Sequence, residues 1–183
     1  MESLRNRIQF AHVSVRISEN LRRELNSEAK REHINLNALV NRILTKFVDF
    51  DRIAEHERSI VLDRRIFLPI IEEASLEELE ILGKKLGPRL AKQTFEFFNI
   101  EPTVESLVSR YFEPMGAYSG NYQLSVAGSG SNLKLILEHD LGSKWSAFLS
   151  EYTRGVVKSV LGSEPRIELD DDLVKVEFRS GSD

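Results

Sequence analysis

The chain has 183 residues, 41% of them hydrophobic, and no cysteine. That is enough apolar material for one medium or two small packed domains, and it excludes structural disulfides and thiolate metal sites. No apolar run approaches the ~20 residues of a membrane span, and Met1 to Gln9 lacks the apolar centre of a secretory signal, so the expectation is a soluble, cytoplasmic protein without membrane contact.

The net charge of −4 is unevenly divided. Residues 1–47 carry nine Lys/Arg against five Asp/Glu, a balance of +4, and the remainder carries −8. A basic end on an acidic body points to a polyanionic partner at that end only.

Residues 12–18 read His-Val-Ser-Val-Arg-Ile-Ser. Val13, Val15 and Ile17 alternate with His12, Ser14 and Arg16, the period of a strand with one buried face. Ser18 suits a helix N-cap, with Glu19 in the first turn where the dipole favours negative charge. The helix over about 19–32 carries Leu21, Leu25 and Ala29 on one face, and His33 or a neighbour breaks it. Asn35 caps a second helix from Leu36, with Leu39, Val40, Ile43, Leu44, Phe47 and Val48 in its apolar stripe. This helix can run on through 49–58.

Residues 59–71 are ambiguous. Ile60 to Leu62 resemble a strand, 64–71 fit either state, and Pro69 disrupts a helix interior. The stretch is taken as a connector. Ser75 and Glu78 form a capping-box pattern for a helix from Leu76 to about Phe98, which Gly87-Pro88 kinks or divides. A further helix covers about 103–115. Alternation at Tyr122, Leu124, Val126 and again at Leu133, Leu135, Leu137 flanks a turn over 128–132, predicting a hairpin. A helix over about 143–161 follows, with Trp145, Phe148 and Tyr152 as core. Arg166–Leu169 and Leu173–Phe178 flank Asp170-Asp171-Asp172 as a second hairpin. The tail is thus ββ-α-ββ, a small antiparallel sheet covered on one face by its helix.

One strand and two helices cannot bury their apolar face alone. The pattern becomes sensible if two chains pair their strands and interlock their helices. Residues 10–50 resemble the ribbon-helix-helix family of repressors and antitoxins on this arrangement. The resemblance implies a dimeric β-α-α domain whose ribbon enters the major groove. His12, Ser14 and Arg16 would read bases, Arg16 by two bonds to guanine. The start of the second helix, Asn35, Leu36 and Asn37, would hold a phosphate. The dimer core would be Val13, Val15, Ile17, Val40, Ile43 and Phe47. The family often has Gly where His33 stands, and histidine tolerates the left-handed backbone that this turn requires better than most residues. Arg5 and Arg7 are either a basic arm touching phosphate or plain terminal charge.

The four histidines, His12, His33, His56 and His139, lack the helical spacing of a metal pair. A metal hydrolase built on His139-Asp140 with His56 and Asp170 has no support in the spacing. The Asp170–Asp172 run lacks the glycine and distal glutamate of a calcium loop. No acid, base or nucleophile set converges, so no catalysis, cofactor or metal is expected.

The expected fold is α+β: a ribbon-helix-helix domain over 1–58, then a helical connector and an acidic α+β domain with an antiparallel sheet over 59–183. The expected function is dimeric, sequence-specific binding of double-stranded DNA that regulates transcription, the second domain being a sensor for a small-molecule or protein effector or an assembly module. The alternative is an antitoxin-like module whose second domain holds a partner protein.

Overall fold

The computed structural model describes residues 11–128 and 133–178. Arg5 and Arg7 lie outside these residues, as does the turn of the first hairpin beyond Gly128. The chain divides into two compact units, Met1–Thr45 and Lys46–Asp183. Among the described residues no helix is long and apolar enough to cross a membrane.

In the first unit, α1 spans Glu19–Arg31 and α2 spans Leu36–Lys46, its last residue counting with the second unit. Ser18 caps α1 through its side chain, which accepts the Leu21 N–H at 3.2 Å. The turn between the helices is a Schellman closure: the His33 N–H bonds the Lys30 carbonyl and the Ile34 N–H bonds the Ala29 carbonyl. His33 takes the left-handed position of this turn at φ 56°.

The expected strand over 12–18 is not formed. Residues 11–17 have no regular secondary structure, so the amino-terminal β-α-α unit, and the ribbon built from it, are corrected to a non-helical arm followed by two helices. A lone strand has nowhere to place its N–H and C=O groups, and the described chain offers the arm no ladder. The alternation of side chains is real, but alternation alone does not supply a hydrogen-bonding neighbour.

The second unit opens with a π-helical turn, Phe47–Asp51, then α3, Arg52–His56, and α4, Arg64–Glu73. Residues 46–57 count with this unit because they pack within it: Phe50 meets Tyr118, and the Arg52 guanidinium lies 4.8 Å from the centre of the Phe98 ring. Ile60 to Leu62, which resemble a strand in sequence, form none. α4 contains Pro69 in its interior, where the sequence argues for disruption.

α5 runs undivided from Leu76 through Phe97, with the expected Ser75/Glu78 capping box in place. Of the kink or division expected at Gly87-Pro88, the division does not occur. α6, Val104–Leu107, a second π-helical turn, Val108–Phe112, and α7, Glu113–Tyr118, follow in succession. β1 is Gln123–Ala127, β2 Lys134–Glu138, α8 Ser143–Leu161, β3 Arg166–Asp170 and β4 Leu173–Glu177. The four strands form one antiparallel sheet in the order β1-β2-β4-β3. The ββ-α-ββ reading of the tail therefore holds.

α8 is the centre of this unit. It packs on α5 and also on β3 and β4, and six consecutive residues, Trp145 to Ser150, are buried. A helix buried all round belongs inside a core rather than on a surface. It shares a core cluster with Leu135, Leu137, Val174 and Val176 of the sheet, each fully buried. The crossing with α5 is close enough to require glycine. A Cβ on Gly87 would lie 2.1 Å from the Tyr152 carbonyl oxygen, and one on Gly83 would lie 2.5 Å from that of Phe148. Gly155 meets the ring of Pro88, whose Cδ would stand 2.5 Å from a Cβ there. The Gly-Pro pair that reads as a helix breaker is thus part of the packing surface of an uninterrupted helix.

Candidate nucleic-acid interface

The first unit has almost no interior of its own. Among its described residues only Ala29 and Leu39 are buried, one from each helix. Val13, Val15 and Ile17 are 75%, 70% and 42% exposed, and Leu21, Ile43 and Leu44 are exposed too. So small a core does not stabilise a free-standing unit of this size, and an apolar set this open is surface awaiting cover. Of the expected dimer core, Val40 is half-buried and Ile43 exposed, while Phe47, also exposed, belongs to the second unit.

His12, Ser14 and Arg16 are exposed. Among the described residues Arg16 makes no hydrogen bond or ion pair. Its neighbours differ: Arg22 holds Glu19 at 2.6 Å, Arg31 is paired with Glu28, and Arg42 donates to Glu32 at 2.7 Å. The Arg42 contact holds the Glu32 carboxyl below its usual range. Among the described residues Arg16 is therefore a guanidinium with its donors uncommitted, whereas these three are largely engaged in holding the helices.

At the start of α2, Asn35 is the expected cap. Its side-chain oxygen accepts the Ala38 N–H at 2.8 Å and its carbonyl accepts the Leu39 N–H at 3.1 Å. The N–H groups of Leu36 and Asn37 are left without an acceptor among the described residues. Such free first-turn donors, reinforced by the helix dipole, suit an anion. The Asn35 side chain is occupied by capping, so the backbone rather than Asn35 is the donor set here.

The second unit holds one constellation that sequence reasoning missed. His139, Ser146 and Asp172 meet: Ser146 Oγ lies 2.9 Å from His139 Nε2, and Asp172 Oδ1 lies 3.5 Å from His139 Nδ1. This looks like a nucleophilic triad, but its protons run the wrong way. The Ser146 hydroxyl donates to the Asp171 carbonyl at 2.9 Å, so it accepts from His139, which must carry its proton on Nε2. Nδ1 then accepts the Leu141 N–H at 3.3 Å, and Asp172 accepts the Gly142 N–H at 2.9 Å. A base would need a bare Nε2 facing a donating serine. Desolvation lowers the His139 pKa, against the pull of Asp172 and Asp140, which keeps the ring neutral. The set ties the β3–β4 turn to the start of α8. No signal in sequence spacing could have found it, because its members come from a strand end, a helix and a turn.

The histidines of the metal-hydrolase reading, which the spacing does not support, have other contacts. His56 stacks on Phe97 with ring centres 3.5 Å apart, and His139 is engaged as described. Among the described residues no group of three or more His, Cys, Asp or Glu is placed to hold a metal ion. Compared with known proteins, the chain matches no protein-family model and no curated protein.

Proposed function

We propose that this chain is a cytoplasmic, dimeric, sequence-specific DNA-binding regulator of transcription, and that it performs no catalysis. The carrying observation is the arm before α1: Val13, Val15 and Ile17, alternating in sequence with His12, Ser14 and Arg16 and all exposed, on a unit with only two buried side chains among its described residues. Two copies brought together through Val13, Val15 and Ile17 leave His12, Ser14 and Arg16 as the arm's polar groups for DNA. Arg16 then donates two bonds to guanine O6 and N7, and Ser14 and His12 bond neighbouring base edges. The Leu36 and Asn37 N–H groups fix register on a backbone phosphate. The second unit is a sensor or assembly module, and its acidity keeps it off the DNA.

The test is selection of bound DNA from a random pool at a stated salt concentration. An enriched two-fold-symmetric site supports the reading; a pool that returns no enrichment removes it. The exposed apolar row equally suits a module that binds a partner protein, the second reading, which gains first place if DNA selection fails.

A further inference from the structure

We propose that the cavity lined by both π-helical turns of the second unit binds an organic cation with an apolar body, such as an alkyl- or aryl-ammonium. The proposal deepens the sensor reading of this unit. Its test reads binding without DNA, so failure here leaves the DNA reading standing.

The cavity has a volume of about 490 Å³, within the size range of small-molecule sites. Two features single it out. First, π-helical turns are rare and concentrate at functional sites, and the turns Phe47–Asp51 and Val108–Phe112 both contribute lining residues. Second, the strap between α3 and α4 forms part of its wall while leaving apolar surface open. Ile60 and Val61 are 86% and 101% exposed, yet both line the cavity with Leu62. An occupant with an apolar body covers what the protein leaves uncovered.

The charges around the cavity set the sign of the ligand. Lys46 is paired with Asp51 at 3.0 Å and Arg110 with Asp49 at 3.7 Å. Glu57 remains. Among the described residues its carboxylate has no cationic partner and accepts only the Thr94 hydroxyl, at 3.1 Å. The lining thus holds three carboxylates against two cations, and the unmatched one is the charge an ammonium would complete. Phe50 and Tyr118 add two aromatic rings with centres 5.8 Å apart to the lining, the residue type whose π-face attracts an organic cation. An anionic ligand would be repelled by the Glu57 carboxylate, which is exposed and has no cationic partner among the described residues, and a purely apolar one would gain nothing from it.

The experiment uses the full chain in isothermal titration with three probes of one shape: phenethylammonium, 2-phenylethanol and phenylacetate. The ammonium is expected to bind at least about tenfold tighter than either of the others, the equivalent of one charge-assisted contact. Glu57→Gln, which keeps an acceptor for Thr94, is expected to remove that advantage while leaving the alcohol's affinity unchanged. Tyr118→Leu, which spares every charge, is expected to weaken the ammonium several-fold. Glu168→Gln, on the sheet, is expected to change nothing. The proposal is overturned if the alcohol or the acid binds as well as the ammonium to the wild-type protein, if both Glu57→Gln and Tyr118→Leu keep the ammonium's full affinity, or if no probe binds at concentrations up to about 10 mM.

Discussion

Gly87→Ala adds one methyl group to the place where α5 and α8 approach most closely. That methyl would lie 2.1 Å from the Tyr152 carbonyl oxygen and 2.9 Å from its carbonyl carbon. Ordinary contact needs about 3.4 Å, so the helices must part by more than 1 Å or α8 must turn. The clash is with backbone, and no rotamer change relieves it. Moving α8 disturbs the rest of the core as well, because its Val156 and Val157 are fully buried in the same cluster as Leu135 and Val174 of the sheet. Overpacking of a rigid core costs about 1–3 kcal/mol and occasionally more, and this case belongs at or above the upper end. The better helix propensity of alanine returns only about 1 kcal/mol. The expected net loss is therefore at least ~2 kcal/mol, a large part of a typical domain's stability. Trp145, the single tryptophan, sits in the first turn of α8, so urea denaturation followed by its fluorescence reports this unit directly. A Gly87→Ala variant within about 0.5 kcal/mol of wild type would refute the close crossing.

Three further outcomes follow from separate parts of the molecule. Val15→Asp leaves the isolated chain undisturbed, since Val15 is 70% exposed, but it places an unpaired charge in the proposed dimer contact; sedimentation should show the dimer weakened by several kcal/mol, and unchanged association would remove Val15 from the interface. Thr153→Val should raise stability by about 1 kcal/mol in the same urea assay, because the Thr153 hydroxyl is fully buried without a partner among the described residues; a loss of stability would mean the hydroxyl is satisfied. His139 has its pKa lowered by burial, so the unfolded chain takes up its proton first: the contribution is complete above the ordinary histidine pKa of about 6.5 and is lost as pH falls from there through the folded value. Denaturation at a series of pH values below neutrality should accordingly show a steeper fall for wild type than for His139→Gln, and parallel curves would contradict the neutral, buried ring.

Local chemistry was legible in the sequence wherever one residue type satisfies one backbone need. Ser18, Asn35 and Ser75 are the caps they read as, and both hairpins lie where alternation puts them. What failed were features whose outcome depends on a neighbour. Val13 to Ile17 alternate like a strand, but a strand exists only with a partner for its ladder. Gly87-Pro88 reads as a break until α8 is known to press against it, after which the missing Cβ is a requirement of the crossing. The two π-helical turns have no sequence signature, and the cavity they line joins residues from 46 to 121, too dispersed for spacing arguments. In the candidate interface, His12, Ser14 and Arg16 are exposed, but so are all residues from 11 to 20, so period two did not distinguish the polar from the apolar side chains. That Arg16 is uncommitted among the described residues while Arg22, Arg31 and Arg42 are paired emerged only from the structure.

The central claim is that Arg16 reads a base, and base preference in an Arg16→Ala variant tests it most directly. Binding to the selected site and to each of its single-base variants should be measured at fixed salt for both proteins. Wild type should lose about 1–3 kcal/mol on substitution of the contacted guanine, and Arg16→Ala should lose affinity for the selected site and become indifferent at that position while keeping its preferences elsewhere. An Arg16→Ala protein with undiminished affinity and an unchanged pattern of base preference would contradict the account and leave the basic end as charged surface.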